Sequence, residues 1–352
     1  MKLTFFSVLG TVIEAFVLAA VILFAVSPAS CSLSKDGIRV ITCDSVPELL
    51  SFSAESATKI KLVFDRNIHF ENLRVHETES SGTPVACSCD CATSEKEKVV
   101  TLERPACVGK SYTVDGLVCD ENRNTLLFSI DFKGFNDNRA GLLIAEVRNA
   151  YSSKTNQYEY VKFYCTKSGN LSGYEFFTAG DGEQKKFEFP SIMVQEGEFV
   201  AVHLRKMKGN DGIYVQDGMI DETEGDKTAS YAIDSSVDSW DFWVDNQKSR
   251  ISPSDIIILR NADDGRVCDV LLLADARKAA EDWNAKYEFV RTLVEQSGLW
   301  LDDDGQTSGA LSSAVVCTGI TSSAVNRMIC RKNFAVPSCA SDWYIRTVRK
   351  KR

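Results

Sequence analysis

Histidine is scarce here: the 352 residues include three, His69, His76 and His203. None belongs to a His-Glu-x-x-His motif, and the chain also lacks a Gly-x-Ser-x-Gly elbow, a P-loop and a dinucleotide fingerprint. Those gaps remove the motif-bearing forms of metal, serine-hydrolase, nucleotide and dinucleotide chemistry. Cys165 follows Phe163-Tyr164 on a predicted strand with no histidine beside it, so a thiol nucleophile lacks its base. His203 alternates out of phase with Val200 and Val202, which puts it on an expected solvent face rather than in a cleft. Positive charge is short as well: 40 Lys and Arg against 49 Asp and Glu give a net charge of −9. A surface of that sign excludes phosphate-backbone recognition, so no nucleic-acid partner is expected, and the basic end Arg346 to Arg352 reads as a solvated terminus. The expectation is a protein that is not an enzyme and has neither a cofactor nor a metal site.

Helical periodicity is the next absence. From Gly141 to Arg205 short β-type runs are broken by turn residues: Leu143-Ile144-Ala145-Glu146-Val147, Glu159-Tyr160-Val161-Lys162-Phe163-Tyr164 and Glu198-Phe199-Val200-Ala201-Val202. Between Ile38 and Phe132 the pattern is the same, and Lys59 to Phe64 alternates polar and apolar residues as a strand with one wet face does. Asp264-Gly265 supplies a hairpin turn. The predicted class is all-β: two Ig-like β-sandwich domains, the second with an inserted helix and long loops. Phe132 to Arg139, with its glycine and asparagine turn signals, marks the joint between a first domain at 31–135 and a second at 140–352. One segment has helical spacing: Ala276, Ala279, Ala280, Trp283, Tyr287, Val290 and Val294 recur at three and four residue steps, with Asp275 as cap and Gly298 as stop. The sandwich itself is the surface that helix is expected to cover. Leu299 to Val316, rich in serine, glycine and alanine toward its end, reads as loop.

Long apolar runs are also missing, with one exception. Ala15 to Val26 is unbroken and apolar, with Lys2 ahead of it and Ser27-Pro28-Ala29-Ser30 between it and Cys31. Residues 1–30 therefore read as a signal peptide. The small residues before Cys31 resemble a bacterial lipobox, although Pro28 stands where that pattern has an aliphatic residue; the resemblance implies lipid attachment at Cys31. Cleavage near Ala29 and a retained anchor helix are the rival readings, and all three export the rest of the chain, to a membrane-associated place in the cell envelope. Twelve cysteines suit an exported chain. Cys87-Ser88-Cys89-Asp90-Cys91 lacks the two-to-four-residue spacing of zinc ligands, so loop disulfides to Cys43, Cys107 or Cys119 are expected instead.

Two family resemblances emerge from these runs. Ile60-Lys61-Leu62-Val63-Phe64-Asp65 and Asp120-Glu121-Asn122-Arg123-Asn124 before Leu126 are similar to bacterial Ig-like modules of surface proteins. The second domain resembles the lamin-tail domain through Ile144-Ala145-Glu146-Val147, Glu159-Tyr160-Val161-Lys162-Phe163, Leu171-Ser172-Gly173-Tyr174, Ser254 to Leu259, Asn326 to Arg331 and Asp342-Trp343. Lys162 replaces a common acidic residue and Tyr174 a common tryptophan, the latter a large aromatic suited to the core. Together they imply an exported lipoprotein with a binding or structural role: tethering, adhesion or assembly with an unidentified envelope partner. Two insertions interrupt the second domain, at about 207–253 and 275–316. The first carries acidic runs between Asp211 and Asp226 and the cluster Trp240, Phe242 and Trp243. Trp240 and Phe242 share one strand face and Trp243 takes the other, which makes them the expected partner-binding residues. A metal-dependent hydrolase using the acidic insertion is the alternative, although none of its spacings fits a calcium loop.

Overall fold

A computed structural model describes residues 31–34, 37–40, 46–78, 84–89, 95–150, 159–205, 239–244, 251–279, 281–317 and 326–347. The signal segment and the acidic run from Asp211 to Asp226 lie outside the described residues. Cys31 opens the first strand, and among the described residues no helix is long and apolar enough to cross a membrane.

Strands β1 (Cys31–Ser34) and β2 (Gly37–Val40) form an antiparallel ribbon. The first domain is one seven-stranded sheet of β3 (Leu49–Ser56), β4 (Lys59–Glu77), β5 (Pro84–Val85), β6 (Cys87–Ser88), β7 (Glu95–Leu102), β8 (Ser111–Asp120) and β9 (Thr125–Lys133). The 19-residue β4 organises it. Its first half, with Lys61 half-buried and Ile60 and Leu62 buried, pairs with β3 and β7; its second half pairs with β5 and β8. Ile60, Leu62 and Phe64 from one half and Ile68, Phe70 and Val75 from the other enter one core with Tyr112, Val114 and Phe132.

The second domain is a sandwich. Its elements are β10 (Gly141–Arg148), β11 (Tyr160–Lys167), β12 (Gly169–Asn170), β13 (Tyr174–Thr178), β14 (Phe187–Glu188), β15 (Met193–Val194), β16 (Phe199–His203), β17 (Ser239–Trp243), β18 (Asp255–Asn261), β19 (Val267–Asp275), helix α1 (Glu288–Ser297), β20 (Trp300–Leu301), β21 (Val315–Cys317), β22 (Arg327–Arg331), β23 (Ser338–Cys339) and β24 (Trp343–Thr347). One sheet runs β17-β16-β11-β10-β22-β24 and the other β14-β13-β18-β19-β21. Val161, Phe163, Val200 and Val202 of the first meet Phe176, Ile256, Ile258 and Leu272 of the second in a shared core. Gly265, at φ 69°, turns β18 into β19, a conformation glycine adopts without strain. Tyr174 is buried as the core aromatic, and its hydroxyl donates to the Ala140 carbonyl at 2.8 Å.

A buried ion pair ties the two sheets. Arg331 of β22 donates through Nη1 to Asp269 Oδ2 of β19 at 2.6 Å and to the Ile144 carbonyl of β10 at 3.1 Å. Its Nε and Nη2 reach the carbonyls of Asn333 and Ala335, and the guanidinium lies 5.4 Å from the Trp343 ring centre. Both charged side chains are fully buried, so the pair functions as a sheet-to-sheet rivet.

Two sequence expectations need correction here. The helix starts at Glu288 rather than after Asp275: residues 276–279 form turns, because Asp275 closes onto Arg277 instead of capping a helix. Gly298 does end it, in the left-handed conformation, and Val290 and Val294 pack into the sandwich core. Nor is Leu299 to Val316 simply loop. Trp300 is fully buried with its indole N–H donated to the Ser313 carbonyl, and Val315 starts a strand parallel to β19. Serine and glycine content hid one large anchor.

Candidate functional site

The cluster expected to bind a partner forms β17, which pairs parallel with β16 in the register Val200↔Trp240, Val202↔Phe242 and His203↔Trp243. The strand alternates as its spacing predicts. Phe242 points into the sandwich core at 0 % exposure, and the half-buried Trp240 packs against the same core and donates its indole N–H to Glu198 Oε2 at 3.1 Å. Trp243 takes the opposite face, yet it too is buried, stacked on the His203 ring with centroids 3.9 Å apart and planes 13° from parallel. The expectation of a three-residue partner surface at Trp240, Phe242 and Trp243 is therefore corrected: two of the three are interior, and Trp240 alone retains part of its surface. Large aromatics on both faces of a short strand are spent on packing.

His203 also needs correction, because it is buried at 1 % exposure instead of facing solvent. Its Nε2–H donates to Asp241 Oδ1 at 2.7 Å, Tyr160 meets the ring edge-on at 5.9 Å, and Nδ1 has no hydrogen-bond partner. Around this pair the outer face of the six-stranded sheet forms a polar and aromatic layer. The Arg148 guanidinium lies 5.0 Å from the Tyr160 ring centre, and the Tyr160 hydroxyl donates to Glu146. The other Glu146 oxygen accepts from Arg346 at 2.6 Å and from the Cys330 thiol at 3.1 Å. Burial first, then the Glu146 carboxylate beside it, pushes that thiol up to about 12, so it stays protonated. An imidazole paired with a carboxylate would suit a general base, but this one is sealed beneath an indole, and a base must reach its substrate.

A second grouping lies in the first domain, and it was missed in the sequence because Cys119 lies 48 and 50 positions from the other two members. His69 of β4 is the direct cross-strand partner of Cys119 of β8. The pairing shifts register between Phe70 and Asn72, which makes Glu71 the extra residue of a bulge. One ligand atom from each of His69, Glu71 and Cys119 lies within 4.8 Å of the others, and His69 Nε2 is 3.1 Å from Glu71 Oε1. Burial, then the nearby Glu71 carboxylate, raises the Cys119 thiol. The expected disulfides do not form at Cys107 or Cys119, both of which are free thiols. Cys43 and Cys91 lie outside the described residues. Cys165 is buried on β11, where burial raises its thiol, and its Sγ–H reaches the Lys167 carbonyl at 3.1 Å.

Comparison with known proteins gives a family match for the second domain. The family described as TP_1001_2nd, protein second domain, matches residues 140–345. An uncharacterized protein of Treponema pallidum (strain Nichols) is 28 % identical over 172 residues, covering 49 % of this chain and 41 % of its own length. The chain thus spans less than half of that relative. Among solved structures, the N-terminal part of the bacterial S-layer protein SbsC aligns with 65 % of this chain and 44 % of its own at 14 % identity and a TM-score of 0.24. A DUF4876 family protein from Bacteroides thetaiotaomicron aligns with 58 % of this chain and 73 % of its own at 11 % identity and a TM-score of 0.23.

Proposed function

The chain belongs, through residues 140–345, to the family described as TP_1001_2nd, protein second domain, and from the residues themselves we propose that it is a non-catalytic, membrane-anchored protein of the cell envelope. In this reading the second domain is a binding or structural module. One observation carries the proposal: the module's single histidine, with its carboxylate and its aromatic neighbours, is used as packing. The groups with the makings of an acid–base pair stiffen a sheet edge instead of lining a cleft. Export rests on Ala15 to Val26, and anchoring rests on the small residues before Cys31. The lamin-tail likeness of the second domain supports an interaction role for it.

Fractionation with lipid labelling tests this function. Wild-type chain is expected in the membrane fraction and labelled by palmitate, whereas Cys31→Ser is expected to be exported, unlabelled and soluble. Wild-type protein recovered unlabelled from the soluble fraction would overturn the anchored reading.

A further inference from the structure

We propose that His69, Glu71 and Cys119 form a three-donor site for a zinc-class divalent cation on the first domain. Four observations carry it. The donors are an imidazole nitrogen, a carboxylate oxygen and a thiol sulfur, a mixture that suits zinc and its neighbours and does not suit calcium or magnesium, which take oxygen. The backbone brings them together: His69 and Cys119 are paired directly across β4 and β8, and the bulge inserts Glu71 beside them. Two of the ligands thus come from β4 and one from β8. The ligand atoms are within 4.8 Å of one another, and a tetrahedral ion with bonds of about 2.0 to 2.3 Å needs donors about 3.3 to 3.8 Å apart. To reach that geometry, side-chain rotations would have to draw the widest-spaced donors in by about 1 Å.

The neighbouring carboxylates are held apart from the three donors. Asp120, next to Cys119, fixes the turn from β8 to β9 by accepting from the backbone N–H groups of Asn122 and Asn124 at 2.9 and 2.8 Å and from the Asn124 side chain at 3.0 Å. Arg66 lies between Asp65 and Asp120, at 2.7 and 3.6 Å, so these neighbouring carboxylates are already engaged. The thiol is buried at 6 % exposure, whereas the His69 and Glu71 side chains keep 39 % and 52 % of theirs. A cation would thus rest on the sulfur with its open side toward solvent, and water would take the fourth position. Metal binding replaces the thiol proton: the S–H proton leaves to solvent as the S–metal bond forms.

The test uses the mature chain, reduced, titrated with Co²⁺ and then Zn²⁺. The expected result is one equivalent of Co²⁺ bound with a thiolate-to-cobalt charge-transfer band, which Zn²⁺ displaces. Cys119→Ser is expected to abolish the band, and His69→Gln and Glu71→Gln each to weaken binding by more than about 10-fold, the least that loss of an outer-shell partner costs, while leaving the metal-free melting temperature unchanged. Paired Cys87→Ser and Cys89→Ser is expected to leave the band intact. A wild-type chain without the band, a band that survives Cys119→Ser, or one lost with Cys87 and Cys89 overturns the site. Should Cys119→Ser fail to fold, unchanged affinity in the two exposed-ligand variants overturns it equally.

Discussion

Asp269 and Arg331 illustrate what a single residue carries in this sandwich. A buried charge that loses its partner costs about 3 to 5 kcal/mol, whereas replacing both members by packed apolar groups is often neutral. Arg331→Ala is accordingly expected to destabilise the second domain by that amount, and Arg331→Met with Asp269→Leu to recover most of it. Denaturant unfolding measures both, and an Arg331→Ala midpoint indistinguishable from wild type would refute the rivet. Asp255 adds a pH dependence. Burial lifts its carboxyl to about 7 against the N–H groups of Gly180, Ser252 and Ile256, which favour the charged form. A group raised above its unfolded value binds its proton more tightly in the native state. Its stabilising contribution is therefore complete below about pH 4 and lost as pH rises through about 7. Wild type should lose stability relative to Asp255→Asn between about pH 4 and pH 7, and a constant gap between the two would exclude it. Neither residue announced this in the sequence, where an aspartate within an apolar strand looks like any other. His203 misled for a related reason: alternation distinguishes two faces of a strand, but it does not say that both will be covered.

At the scale of elements, α1 and the segment just after it offer the clearest tests. Gly298 sits at φ 67°, where an added Cβ is strained, so Gly298→Ala is expected to cost about 1 kcal/mol. Trp300→Ala removes a fully buried indole and is expected to cost about 3 to 5 kcal/mol. Thermal melts of the two variants should rank in that order, and a reversed ranking would mean that Trp300 does not anchor the segment. Local rules worked well for such features: Asp264-Gly265 as a hairpin, Gly298 as a stop, and Lys59 to Phe64 as an alternating strand all arise from nearest neighbours. Pairing over distance was not legible. That β17 would lie parallel to β16, putting Trp243 on His203, depends on a chain excursion of 35 residues between the strands. The contact of Cys119 with His69 likewise depends on register, and a shift of one residue would send one of them to the opposite face.

At the scale of the whole molecule, the described residues form two apolar cores with no residue in common, one drawn from 60–132 and the other from 140–343. Each is large enough to fold by itself. A fragment of residues 136–347 is therefore expected to unfold cooperatively and to reproduce one of two transitions of the intact chain, as calorimetry would show. A fragment without a cooperative transition would mean that the domains depend on one another. The long pairing of β10 with β22 was not readable, because it joins residues more than 180 positions apart. That pairing has a temporal consequence. Glu146 meets Cys330, and Arg331 completes the rivet, only when the last tenth of the chain is available. A polypeptide threading through a membrane from its N-terminus would present β10 and β11 long before β22 and β24. On the export route proposed above, closure of the sandwich would await the end of translocation, and the early strands would need protection from one another's edges until the final residues arrive.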